Sequence, residues 1–350
     1  MERIRVAPAW LYQRYRPFWD RLFPAFGMAF LFVLTDQAVG AFTKEWRLFI
    51  AGSVLMAGVV TPVAGYVSFI LALAYPLYSI SIYVAALALT VLTLAAFFLT
   101  RYLSAVVLVL GISLLAPYRI APVVPLVAGL WWAEWGGVLV GLGGALWLKT
   151  FAGMCGATPD LIQLGGQPLV FHQLIDRFQQ ANSLQTLLWL AQPWVGASPD
   201  REVLLLHILE VLGWGLAGYG VGLMRQRIAG MQRPVFGVLA SVSAGLLGLW
   251  LLMLVVPLAL GLREMSSIIV PFVVECCWSG VIAMGLYGLS RYLSRPAVVP
   301  VRTQDVHRLD QAVEPHHPPV QPVPDSAAQS WGRPKSREDE QTDIIMIDLD

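Results

Sequence analysis

The sequence predicts an all-α, polytopic transmembrane helix bundle of about eight crossings, followed by a disordered C-terminal tail. Three observations carry that expectation. Hydrophobic residues make up 57% of the 350, charged residues only 13%, and the mean hydropathy is +0.67. A soluble domain carries about 25% charged residues, so this chain lacks the means to wet a globular surface. Leu48 to Thr100 is a run of 53 residues without Asp, Glu, Lys, Arg or His, room for two crossings at roughly 20 residues each. From Ser294 onward the chain turns Pro-rich and charged and loses all hydrophobic periodicity.

In chain order, residues 1–22 form a basic and aromatic segment with Arg3, Arg5, Arg14, Arg16, Trp10, Tyr12, Tyr15 and Trp19. It has no compact apolar run before a small-residue cleavage site, so it reads as a surface-lying segment rather than a signal peptide. The bundle occupies 23–292, with crossings expected near 23–42, 48–75, 77–99, 103–116, 120–148, 204–224, 235–260 and 268–289. The fifth is long and interrupted by Glu134 and Gly136-Gly137, the mark of a bent or broken helix. Arginine clusters precede the first crossing, separate the sixth from the seventh (Arg225, Arg227, Arg233) and follow the last (Arg291, Arg295, Arg302). Eight passes place all three on one side. The expectation is an inner (plasma) membrane protein of a bacterium with both termini cytoplasmic. A ninth pass, made by splitting the fifth stretch into a hairpin, would put the clusters on opposite faces, so eight passes is the expectation.

The loop at about 150–203 then lies outside. Leu174, Ile175, Phe178, Ala181, Leu184 and Leu188 recur at helical steps, predicting one amphipathic helix over 172–190 that covers the bundle. Gly129, Ala133, Gly137, Gly141 and Ala145 repeat every fourth residue, a smooth stripe against which another backbone can pack. Gly218 and Gly222, and Ala240, Ala244 and Gly248, offer the matching faces.

Ionisable groups inside the apolar runs are the candidate ligand-binding residues: Asp36, Glu134, His207, Glu210 and Glu275. A carboxylate costs several kcal/mol at the bilayer centre, so each should face the bundle interior, where a polar cavity would take a cation or a hydrogen-bonding solute. His207 and Glu210 share a helical face. Catalytic motifs are absent: no HExxH, no GxSxG and no phosphate-binding glycine loop. Cys155, Cys276 and Cys277 form neither a disulfide framework nor a metal spacing, and no cofactor, metal or nucleic acid is expected.

The tail, 293–350, begins as a Pro-rich linker and ends on Ile344, Ile345, Met346 and Ile347, then Asp348, Leu349 and Asp350. Apolar residues on a tethered, acidic arm form a docking peptide that adds a strand or one helical turn to a cytoplasmic protein partner.

The stretch from Leu115 to Gly141, with Arg177-Phe178 and Ser183-Leu184-Gln185-Thr186-Leu187 further on, resembles the multi-pass membrane region appended to certain bacterial Ser/Thr protein kinases. The kinase domain itself is missing. The Gly-rich fifth segment is also similar to the substrate-binding membrane subunits of energy-coupling-factor vitamin transporters. The first resemblance implies a membrane sensor or anchor, the second solute capture. The function expected is a non-enzymatic sensor or scaffold that recruits a soluble partner through its tail; the alternative is a solute transporter or substrate-binding membrane subunit that uses the intramembrane carboxylates.

Overall fold

The computed structural model describes residues 12–99, 103–158, 160–166, 171–179, 181–195, 201–228, 234–261 and 269–294, and every regular element among them is a helix. The tail and its tip at Ile344 to Leu349 lie outside the described residues.

Helix α1 (Arg16–Val39) ends on Gly40, whose φ of 72° is the left-handed conformation that stops a helix, and α2 is Lys44–Val60. Asp36 closes the turn between them, accepting from Arg47 Nε at 2.6 Å and from the Phe42 N–H at 3.1 Å. At the opposite end Arg21 Nη1 donates to the Val60 carbonyl, 3.3 Å away, so α1 and α2 run antiparallel. Glu45, exposed in the first turn of α2, is held below the usual carboxylate range by backbone N–H donors and the Thr43 hydroxyl.

The expected single crossing over 48–75 is corrected here. The helix stops at Thr61, which is extended (φ −142°, ψ 135°), and α3 (Pro62–Ile80) returns along α2. The reason is local: the Thr61 hydroxyl accepts from Ala64 N–H at 3.2 Å, and Pro62 takes a first-turn position where no N–H is needed. Gly58 and Gly65 allow the two helices to touch across the bend, where a Cβ on Gly65 would stand 2.9 Å from the Gly58 nitrogen. The Tyr75 ring, 5.0 Å from that of Phe42, brings the end of α3 back to the α1–α2 turn. Extended Ser81 breaks the chain again before α4 (Ile82–Leu99), held to α3 by the Tyr66 hydroxyl donating to the Leu92 carbonyl at 2.7 Å.

Helix α5 (Leu103–Leu115) leads through a 3-10 turn, Ala116–Tyr118, into α6 (Val123–Met154). Two helical arms make up α6, and the chain reverses between them at Trp132 (φ −113°, ψ 19°) and Ala133 (φ 60°, ψ −164°). A Cβ on Gly137 would lie 3.0 Å from the Gly129 Cα. Eight residues of straight helix would separate them by about 12 Å. The fifth apolar stretch is therefore a helical hairpin. Its first arm is short, whereas residues 134–154 make an arm of roughly 30 Å, the thickness of a bilayer core.

After α6 the chain forms a short helix α7 (Leu161–Leu164), then α8 (Phe171–Gln179) and α9 (Ser183–Val195). The single amphipathic helix expected over 172–190 is thus two helices. Asn182 and Gln185 form a reciprocal cap at the start of the second: the Gln185 N–H donates to Asn182 Oδ1 (2.8 Å) and the Asn182 N–H to Gln185 Oε1 (3.1 Å). Buried Leu174, Ile175 and Phe178 of α8 close the end of the bundle against Ile80, Val84, Phe151 and Met154. The remaining helices are α10 (Arg201–Ile228), α11 (Pro234–Trp250), a π turn Leu251–Val255 running into α12 (Val256–Ala259), and α13 (Ile269–Leu293).

Six helices among the described residues are long and apolar enough to cross a membrane: Arg16–Val39, Pro62–Ile80, Val123–Met154 (bent, as above), Arg201–Ile228, Phe236–Ala259 and Ile269–Leu293. Ile82–Thr93 and Leu103–Tyr118 are shorter apolar helices. The bends at Thr61 and Ala133 add two reversals to the sequence expectation, and two reversals cancel. Gln13 Nε2 reaches the Leu293 carbonyl at 3.5 Å, and the Arg225 guanidinium lies 5.5 Å from the Tyr287 ring. Arg16 and Arg21 at the start of α1, Arg225 and Arg227 at the end of α10 and Arg291 at the end of α13 thus share one end of the bundle, here called the basic end. Leu174, Ile175 and Phe178 of α8, with Trp189 of α9, lie at the other.

Candidate functional site

The close approach of α6 to α10 positions the site. Gly129, Gly137 and Gly141 of α6 face Gly218 and Trp214 of α10, and a Cβ on Gly129 would strike the Gly218 carbonyl oxygen at 2.5 Å. The backbone of Ala133 and Glu134, at the hairpin bend, rests on Gly222. With both backbones this near, side chains toward the loop end meet across the gap. Lys149 of α6 is 1% exposed and pairs with Glu210 of α10, itself fully buried. Its Nζ also lies 3.0 Å from His207 Nδ1, one turn earlier on α10. The Leu161 N–H, at the start of α7, donates to the same Glu210 oxygen at 3.4 Å.

The three side chains come from two helices remote in sequence, and the Leu161 N–H from a loop that folds back into the bundle. Leu161, Ile162 and Leu164 of that loop are core residues, and Asp160 caps α7 by accepting from the Ile162 and Gln163 N–H groups at 2.9 and 3.1 Å. The Gly166 N–H donates to the Ala116 carbonyl at 3.0 Å, tying the loop to the turn between α5 and α6. In this setting the Lys149 ammonium donates to Glu210 and lies within hydrogen-bonding distance of His207 Nδ1. A charge pair held away from water is worth little to stability against an apolar isostere, so its presence is a reason to look for function.

The sequence-predicted site residues fall into three environments. His207 and Glu210 meet as their spacing implied, but with Lys149, which the sequence reading did not include. Asp36 is bound into the α1–α2 turn by Arg47 and has a structural task. Glu134 does not lie midway along a crossing; it begins the long arm of the hairpin, half-buried, with its backbone against Gly222 of α10. Glu275, buried near the start of α13, faces Gly165 of the loop rather than Glu210. No group of three or more His, Cys, Asp and Glu among the described residues is arranged to hold a metal ion. Comparison with protein-family models, with curated proteins and with solved structures returns no match for this chain.

Proposed function

We propose that the chain is a solute-transport protein, or the membrane subunit of one, in which the Lys149–His207–Glu210 cluster binds a small charged or zwitterionic solute. The observation that carries this reading is the fully buried Lys149–Glu210 pair, contacted by a loop that re-enters the bundle. Opening the pair offers an ammonium and a carboxylate to a solute of complementary charge. The re-entrant loop is the natural cover, since moving it removes a hydrogen bond from Glu210 and exposes the pair. Irregular backbone at membrane depth is tolerated where it is packed in protein or lines a cavity, which suits both the α6 bend and the loop.

The test is uptake of labelled amino acids and small organic acids by proteoliposomes carrying the full chain. Uptake of one class, abolished by Lys149→Met and by Glu210→Gln in protein that still elutes as a folded species, is the expected result. Silence across the panel would remove the reading.

The sensor or scaffold reading stands on the tail, whose Ile344, Ile345, Met346, Ile347 and Leu349 follow an acidic run. It is a second proposal with its own experiment, a pull-down comparing the full chain with one ending at Pro324. A partner lost on truncation supports it, and an unchanged set of partners refutes it.

A further inference from the structure

Away from the Lys149 cluster, a groove lies on the outside of the bundle between α3 and α4. Extended Ser81 folds the two helices against each other, and the hydrogen bond from Tyr66 to Leu92 ties them together further along. Between those two points an open cavity of about 440 Å³ runs along the pair, within the range of small-molecule sites, about 300–1,000 Å³. Its shape follows from residue size. Ile82, Ala85, Ala86 and Leu89 recur at three- and four-residue steps and share one face of α4. Ala74, Tyr75 and Tyr78 line the groove from α3. The alanines leave the depression and the longer side chains border it: Ala85 is 5% exposed, whereas Tyr75, Tyr78 and Ile82 stand out from the surface.

The lining sets the chemistry of an occupant. None of these residues is charged, and the two tyrosine hydroxyls are their only polar side-chain groups. The helix backbones spend their hydrogen bonds internally, so a polar solute would leave its own donors and acceptors unmet. Both tyrosines come from the end of α3 that meets the α1–α2 turn, where the Tyr75 ring lies 5.0 Å from that of Phe42. Tyr83, next to Ile82, places its hydroxyl 2.5 Å from that of Ser183 at the start of α9, on the same side of the bundle. This is the end opposite the basic end, and tyrosine suits the headgroup level of a bilayer. From Ile82 to Leu89 the groove continues for about 10 Å, roughly a third of a bilayer core. It is therefore polar at its mouth and apolar below, in the same order as the parts of a membrane lipid.

We propose that the α3–α4 groove holds an acyl chain of a bilayer phospholipid, with the headgroup at the level of Tyr75 and Tyr78. Helix α3 is long and apolar enough to cross a membrane, and Val67 and Leu71 on it are exposed, so the groove opens on an apolar surface continuous with the lipid-facing side of the bundle. An empty groove there would forfeit dispersion contacts along its whole lining. A flexible acyl chain fills it, and a chain seated between two helices touches protein on three sides rather than one. That difference separates a retained lipid from those that exchange along a flat helix face. The proposal does not rest on the transport reading.

The experiment is equilibrium binding of radiolabelled dioleoylphosphatidylcholine to the purified, delipidated full chain in detergent micelles. Saturable binding is expected, weakened about tenfold or more by Ala86→Trp, which fills the groove, and by Tyr78→Ala, which removes one wall. Leu139→Trp, at an exposed position of α6 outside the groove, should bind as the wild type does. Ala86 and Tyr78 are both exposed, so the two groove variants are expected to fold, and thermal unfolding in the same detergent checks this. Absence of saturable binding by the folded wild-type chain overturns the proposal. Binding that both groove variants leave unchanged, or that Leu139→Trp weakens equally, overturns it too. Sedimentation of the same samples tests the competing occupant, a second copy of the chain: a dimer that Ala86→Trp dissociates assigns the groove to self-association instead.

Discussion

Lys149 shows how a single residue escapes sequence reading. It stands alone near the end of a long apolar stretch, where a lysine ordinarily stretches its stem along the bundle and leaves its ammonium in the interface. Its partners lie 58 and 61 residues away, and nothing in its neighbours announces them. His207 and Glu210 were legible because their three-residue spacing is itself a helical signal. Removing one member of a buried pair strands the other charge at a cost of about 3–5 kcal/mol, while replacing both by apolar groups costs far less. Lys149→Met and Glu210→Met are therefore expected to lower the thermal midpoint in detergent strongly as single variants. The double variant should recover most of the loss while remaining inactive in uptake. A double variant no more stable than the singles would show the pair to be indispensable to the fold. Asp36→Asn is expected to cost about 3 kcal/mol by stranding Arg47, with solute uptake retained in the folded fraction.

The two unexpected bends differ in how visible they are. Thr61-Pro62 is a helix start written in the sequence, a capping hydroxyl followed by a residue without an N–H, and only its apolar surroundings hid it. Trp132-Ala133 carries no proline or glycine, so nothing in the two residues themselves announces the break. That bend is imposed by tertiary packing, and Ala133 occupies a φ/ψ region normally left to glycine. Ala133→Gly should therefore stabilise the protein by about 1 kcal/mol, read as a higher unfolding midpoint, despite adding a glycine to a helical run. A lowered midpoint would contradict the strained geometry. Against the bend, Gly218→Val should lower stability by about 3 kcal/mol or more, because its side chain would enter the Gly137 backbone. The glycine stripe itself was readable from its four-residue period, though its straight-helix interpretation was not. In the folded chain Gly129 and Gly137 lie side by side on two arms.

For the whole molecule, the placement of the basic residues survived two compensating changes in the path of the chain. A hairpin in the fifth stretch alone would have separated the described arginines Arg21, Arg225 and Arg291, and the reversal at Thr61 brings them back to one end. Single reporter cysteines introduced by Arg21→Cys, Arg227→Cys and Tyr292→Cys, in a chain freed of Cys155, Cys276 and Cys277, should all react with a membrane-impermeant maleimide from the same side of sealed vesicles. Gln185→Cys, on the capping helix α9, should react from the other side. Mixed labelling among the first three would break the shared-end arrangement. What the sequence determined by itself was the class of molecule, because apolar run length and charge depletion act through solvent and need no partner. It also determined that ionisable groups would be buried, since their position within apolar runs leaves no other place for them. Which of those groups meet was decided only by the tertiary structure. Pairing of Lys149 with Glu210 and the placement of Glu275 against Gly165 depend on how helices far apart in the chain cross, and crossing geometry is set by close packing of glycine faces rather than by any local signal.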